Sequence, residues 1–577
     1  MFDPDEESDE EAADSELTEN TEPVLQEGRA RSFAAIIAGL MAAMGLLAGG
    51  GILGVPGGEV FGHAWVQWWH ADALPSWPGG TDLAIGTDQW PVIDPLPTFL
   101  AAVLGRLFGV AVGYNLLIVA FVALAFHGGA ALAERDGGSP WVGGLVVCLS
   151  PIFLGSLSSG LTEDGALGLA ALALAYLGRP NLRDGLKAGL CLGLLSWCGL
   201  VLAWATAIVC VGLGLVCARH DRRALRPLLA GAGVALSMAI PAAWAQGGRL
   251  GGEGHRQGEL LRDGEPLWFL NPWKGADLMS FFSPGRVEIG DQLVRWHPAY
   301  LGFVALALAF YGSRDPKGHP PRGRGAWWWV LVLSAAAAVG SEPMLAGNPV
   351  PLPNPVAGLV HLLPFGDLVN HHARLLLPGT LALAVLAARG ATRLEGSRRF
   401  GASGSVWVAL ALGVEMLLLA PLSYPLPVAS IRVPEVLRSC DERRVDGPCV
   451  DLDDLTPGRM LVVPMGGPGV HPQRPLIDQR AHGRTLFLDP NRPGWPRGEA
   501  YSPTSQWLLG LAVEDGVPPP SVFDVPQGVS VLLVMAPYDE EVSDLLGPPD
   551  VRAADGSAWD LVRWIPTRRE PGVLLDL

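Results

Sequence analysis

Apolar runs, each tested against the roughly 20 residues that cross a bilayer, alternate along this chain with polar joints. The first covers Phe33 to about Val55. A polar, aromatic stretch follows from Gly57 to Pro97, and its end, Pro97 to about Val110, reads as a helix lying at the membrane interface. Tyr114–Ala133, Trp141–Ser158 and Ala166–Leu177 are the next candidate crossings. Between Leu186 and Cys217 the run is too long for one span and basic at both flanks, which predicts two short helices with a tight turn near Trp197–Gly199. Leu228–Trp244, Pro298–Phe310, Ala326–Val339, Arg374–Ala388 and Val406–Leu422 bring the total to about eleven spans. The expected class is therefore a mostly α, polytopic helical membrane bundle.

Basic residues then orient the bundle. Arg29 and Arg31, Arg135, Arg179 to Lys187, Arg219 to Arg226, Arg314 to Arg324 and Arg389 to Arg399 all fall on one side of the predicted path. Cytoplasmic loops collect Lys and Arg, so that side is the cytoplasm. Residues 56–97, the loop Gly247–Trp296 and the loop Pro343–Asn370 are then outside. From Pro425 the composition changes to Pro, Asp, Arg and Gly with short β-prone runs such as Met460–Pro464 and Val529–Met535. Three regions are expected: an acidic cytoplasmic tail over 1–30, a transmembrane domain over 31–424, and a small soluble α/β domain over 425–577 outside the membrane. The membrane is expected to be the inner, cytoplasmic one, with the N-terminus in the cytoplasm.

Composition agrees with this pattern and excludes a soluble enzyme. Over 577 residues, 49% are hydrophobic, only 17% are charged, and the mean hydropathy is +0.31. Much of the net charge of -17 lies between Asp3 and Glu27, a stretch with too little apolar surface to order itself. The charge ahead of Phe33 is mostly acidic and no small-residue cleavage site follows it, so the first span is expected to be retained. Cys148, Cys191, Cys198, Cys210 and Cys217 sit in apolar runs, where a thiol behaves as a small hydrophobe. Cys440 and Cys449 flank a polar loop in the region placed outside, and there they are expected to form a disulfide.

Candidate chemistry concentrates in the outer loops. The stretch 57–97 carries Glu59, His63, His70, Asp72, Asp82, Asp88 and Asp94 among five tryptophans, without one Lys or Arg. Glu59 and His63 stand four apart and face one way on a helix. With His70 and Asp72 they could hold a divalent metal, or the carboxylates could act as acid or base; a solvated interfacial loop anchored by Trp is the plainer account. Glu163 and Asp164 end the run Ser158-Ser159-Gly160-Leu161-Thr162 at the mouth of a span. Carboxylates at that depth mark a wet site or are paired, while Thr162 followed by two acids also makes a good helix start. His371, His372 and Arg374 open an inbound helix, where Arg374 suits a phosphate group or simply snorkels to the interface. Gly466, Gly467 and Gly469 lack the helix that a nucleotide loop requires.

The chain resembles the GT-C superfamily of multispan glycosyltransferases, and in particular bacterial members with a soluble C-terminal domain. The resemblance rests on Gly58-Glu59-Val60-Phe61-Gly62-His63-Ala64-Trp65 with Trp68-Trp69, on Asn115, and on the segment from Ser150-Pro151 to Glu163. It continues in Ala276-Asp277-Leu278-Met279-Ser280-Phe281-Phe282-Ser283-Pro284, His297-Pro298-Ala299-Tyr300-Leu301-Gly302 and Gln479-Arg480-Ala481-His482-Gly483-Arg484. Two positions depart from it: Glu59 stands where an Asp is usual, and His371 where related chains tend to carry a second Arg. The resemblance implies sugar transfer from a polyprenyl-phosphate donor to an acceptor on the outer face. Glu59, Asp82 or Asp88 would be catalytic, and His63, Glu163, Asp164, His371 and Arg374 would bind donor or acceptor. A non-catalytic membrane scaffold and a transporter are the alternatives. Membrane lipids are expected partners and nucleic acid is not; a divalent metal and the oligomeric state are left open.

Overall fold

The computed structural model describes residues 51–77, 94–250, 261–266, 275–283, 298–313, 324–395, 404–463, 474–487, 504–508 and 525–562, with shorter breaks inside these ranges. The acidic head, nearly all of the first expected span, Asp82, Asp88 and Cys449 lie outside the described residues.

Helices build most of what is described. In chain order they are α1 (Val60–Asp72), α2 (Pro95–Phe108), α3 (Val110–Arg135), α4 (Pro140–Cys148), α5 (Pro151–Ser158), α6 (Leu167–Tyr176), α7 (Leu182–Cys198), α8 (Leu200–His220) and α9 (Leu225–Leu250). Further along come α10 (Phe303–Ser313), α11 (Arg324–Ala338), α12 (Pro355–Leu362), α13 (Leu376–Glu395), α14 (Gly404–Leu418), α15 (Arg474–His482) and α16 (Asp539–Leu546). Among the described residues, five segments are long and apolar enough to cross a membrane: Val110–Arg135, Pro140–Ser158, Leu200–His220, Arg222–Gln246 and His372–Glu395.

Local chemistry explains most of the breaks. Pro151 has no N–H with which to continue a helix, so the segment Pro140–Ser158, which covers the crossing expected over Trp141–Ser158, is built of two helices, α4 and α5. The expected pair of helices around Trp197–Gly199 is present as α7 and α8, with Gly199 in extended backbone between them. The inbound helix expected at Arg374 begins instead as a 3-10 turn, His372–Leu375, and runs on as α13 to Glu395.

The end of the first expected span needs correction. Gly51–Leu53 is strand β1, paired antiparallel with β2 (Val428–Ser430), Ile52 facing Ala429. Asn115 of α3 holds it from the other side, accepting from the Leu53 N–H at 2.7 Å and donating to the Gly51 carbonyl at 2.9 Å. A side-chain amide carries the same donor and acceptor as a peptide, so Asn115 stands in for a neighbouring strand.

The C-terminal region contributes a four-stranded sheet made of β3 (Arg459–Val463), β4 (Val529–Val534), β5 (Val551–Ala553) and β6 (Gly556–Asp560), in the order β3-β4-β6-β5. β3 and β4 run parallel with Leu461 opposite Leu532, and the other pairs are antiparallel. Every residue of β4 is buried, as its unbroken apolar run requires of an inner strand. Helix α15 packs on α1, where the Arg474 guanidinium lies 5.0 Å over the Phe61 ring. The same guanidinium donates to the carbonyls of Ser430 and Arg432 and pairs with Asp478. Cys440 donates its amide N–H to Asp451 Oδ1 at 2.7 Å.

Candidate functional site

Three separate parts of the chain bring charged side chains to one place. The first is α1 with the residue ahead of α2, the second is the turn between α5 and α6, and the third is the turn that opens α13. Their approach depends on glycine. A Cβ on Gly58 would come 2.6 Å from the Ser159 carbonyl oxygen, and one on Gly160 would come 2.3 Å from the Val60 nitrogen. Gly160 also has φ +91°, which L side chains disfavour. The Glu59 N–H donates to the Ser159 carbonyl at 2.7 Å across this contact.

Thr162–Asp164 forms one 3-10 turn. Thr162 does open that turn, behind the cap residue Leu161. Its hydroxyl donates to Asp94 Oδ2 and lies 2.9 Å from His63 Nδ1. With that proton committed to Asp94, the hydroxyl oxygen is left to accept, so His63 Nδ1 is the donor. Asp94 Oδ1 also accepts from the Thr98 hydroxyl at 2.9 Å, which fixes the carboxylate at the start of α2.

On the far side of the imidazole, His63 Nε2 lies 3.6 Å from Glu163 Oε2. Glu163 Oε1 is 3.2 Å from Arg374 Nη1. Arg374 Nε and Nη2 both donate to Asp164 Oδ1, at 2.9 and 2.6 Å. A continuous chain of charge thus runs Asp94, His63, Glu163, Arg374, Asp164. None of the five side chains is more than 8% exposed. Three carboxyl groups face one guanidinium and one imidazole, so the cluster has more acid than base.

Burial acts on the titrating members in opposite senses. It pulls the His63 imidazole down, but Asp94, with Glu163 and Glu59 behind it, more than offsets this and raises His63 to about 9. Burial raises the Glu163 carboxyl above its ordinary value, against the opposing pull of Arg374 and His63. Glu163 Oε2 and Asp164 Oδ2 are buried without a hydrogen-bond partner, as are the Tyr114 hydroxyl and Ser159 Oγ. Tyr114, on α3, is close enough to Asp94 and Glu163 to feel both charges.

Of the residues expected at a site, His63, Glu163, Asp164 and Arg374 come together. Glu59 stands at the edge, half-buried just ahead of α1, with its charge felt by His63 and Arg374. His371 precedes the turn that bears Arg374, and its carbonyl accepts the Arg374 N–H. In the sequence, Asp94 counts among the acids of the first loop and Thr162 reads as a helix start, and neither is given a place in the site. Asp94 stands immediately before a helix-starting proline, Pro95. Arg374, expected to face a phosphate, is already engaged by two carboxylates. Among the described residues, no group of three His, Cys, Asp or Glu side chains is arranged to hold a metal.

No family model matches the sequence, and no curated protein does. The chain is similar to several solved structures, at low sequence identity. One is arabinofuranosyltransferase AftD from Mycobacteria, with 18% identity and a TM-score of 0.45, covering 88% of this chain and 36% of that one. This chain therefore spans little more than a third of that enzyme. ArnT from Cupriavidus metallidurans in the apo state has 16% identity and a TM-score of 0.40, covering 93% and 98%. An oligosaccharyltransferase from Archaeoglobus fulgidus has 12% identity and a TM-score of 0.41, covering 88% and 69%. All three TM-scores are below 0.5.

Proposed function

We propose that this chain is an integral membrane glycosyltransferase that moves a sugar from a polyprenyl-phosphate donor to an envelope acceptor on the outer face of the cytoplasmic membrane. The observation that carries the proposal is the convergence of Asp94, Glu163, Asp164, His63 and Arg374 in one buried cluster in which Glu163 Oε2 and Asp164 Oδ2 have no hydrogen-bond partner. Buried ionisable groups beside membrane helices are costly and mark sites of function. Unfilled acceptors next to a guanidinium suit hydroxyl groups on one side and a phosphate on the other.

Glycosyl transfer needs a base for the acceptor hydroxyl and a cation for the departing phosphate. Glu59 supplies the base from the half-buried edge of the cluster, with Asp82 and Asp88 in the same loop. Glu163, its carboxyl raised by burial, holds the acceptor hydroxyl and can exchange a proton near neutrality. Asp164 and Glu163 fix the plane of the Arg374 guanidinium and leave its remaining N–H groups for the phosphate. A non-catalytic membrane scaffold is the second reading. The near-complete burial of the cluster favours it, since paired and buried charges can serve architecture alone.

Purified chain in liposomes, given radiolabelled polyprenyl-phosphate sugars and a cell-envelope extract, tests the proposal. Label should leave the lipid, and Glu59→Gln or Asp82→Asn should stop it in protein that still folds. Undiminished transfer in both variants refutes the base assignment. A folded wild-type chain that releases no label supports the scaffold.

A further inference from the structure

The loop between α11 and α13 carries a feature that glycosyl transfer does not use. From Pro343 to Gly366 it holds no Asp, Glu, Lys or Arg, and several of its large apolar side chains are exposed. Leu352 is 66% exposed, Leu359 60%, Leu362 81% and Phe365 70%. Leu359 and Leu362 are three apart on α12 and share a face. The opposite face of α12 is anchored, with Val356 and Val360 packed into a cluster with Ala205 and Trp204 of α8 and Ala337 of α11.

The anchor sets the depth. The 21 residues of α8 span about 31 Å at 1.5 Å per residue, close to the thickness of the hydrocarbon core. Its first residue follows Gly199, which abuts Glu163, so this end of α8 is the end beside the charged cluster. Trp204 lies one turn inside that end, and its indole Nε1 donates to the Pro364 carbonyl at 2.7 Å. The loop is therefore tied to an apolar helix at a level inside its apolar length. Water is the wrong solvent for four outward apolar side chains on a ridge without charge, and acyl chains are the right one.

We infer that α12 and the turn through Phe365 are an interfacial lip seated among the phospholipid acyl chains on the cluster's side of the membrane. The lip reaches the cluster through two imidazoles. His361 on α12 and His372 face each other with Nε2 atoms 3.0 Å apart, and Arg374 lies two residues beyond His372. This placement holds whether or not the chain transfers sugars.

The test uses the full chain in liposomes of phosphatidylethanolamine and phosphatidylglycerol. A photo-crosslinking p-benzoylphenylalanine is placed at Leu359, at Leu362, or at exposed Glu540 of α16 as the control, and adducts are identified by mass spectrometry. Leu359→p-benzoylphenylalanine or Leu362→p-benzoylphenylalanine should give several-fold more phospholipid adduct than the Glu540 variant. Phospholipid adduct at the control level in both overturns the inference. Adducts dominated by peptide, from a second copy or from another segment of this chain, overturn it too, because they name a different occupant. Either position alone suffices if the other variant fails to fold.

Discussion

Asp164 is fully buried and spends one oxygen on two N–H groups of Arg374. Breaking a buried ion pair costs more than the pair contributes, because the remaining charge is left without a partner. Asp164→Asn should therefore destabilise the chain by roughly 3–5 kcal/mol, read as a lower melting temperature in detergent. Combining it with Arg374→Gln should cost less than the sum of the two single changes. The titrating residues make a second prediction, and both have the same sign. His63 binds its proton more tightly in the folded chain, so its contribution is complete below the ordinary value of 6.5 and is lost as pH rises through about 9. The raised Glu163 carboxyl also favours the folded state at low pH, and its contribution fades as pH climbs above the ordinary 4.5. Thermal stability should fall as pH is raised, and His63→Gln should flatten the upper part of the fall.

At the scale of elements, the polar group that matters most was hidden inside an apolar run. Glu415 lies in α14, where hydropathy registers it only as one interruption in a long stretch. Its Oε1 accepts from the Tyr300 hydroxyl at 2.7 Å and the Phe303 N–H at 2.6 Å, and its Oε2 accepts from the Val304 N–H at 2.9 Å. The carboxylate thus caps the start of α10 from a different helix, meeting N–H groups that a helix cannot satisfy itself. Glu415→Ala should cost about 1–3 kcal/mol for each donor left buried without an acceptor, and Glu415→Gln less, both measurable by thermal unfolding. Other elements were legible because their signals are local. The break between α7 and α8 follows from a run too long for one span. The strand at Gly51–Leu53 was not, since its partners are Asn115 and Val428–Ser430, remote in the chain.

At the scale of the whole molecule, β1–β2 pairing and the α1–α15 contact join the first loop to the C-terminal sheet. Arg474 is central to that joint, bonding to two carbonyls beside β2, pairing with Asp478 and stacking on Phe61. Arg474→Ala should loosen the joint without unfolding the helices. Faster hydrogen exchange over α1 and α15, with α3 and α13 unchanged, would be the expected reading. The pattern of apolar runs, read against the length needed to cross a bilayer, was enough to establish a helical membrane bundle. It also singled out His63, Glu163, Asp164 and Arg374, because charge in such a setting is rare and stands out. Only tertiary structure decided that these four meet, that Asp94 and Thr162 join them, and that Arg374 is held by two acids. Hydropathy is a property of neighbours along the chain, whereas pairing between charges is a property of neighbours in space, and Asp164 and Arg374 are 210 residues apart.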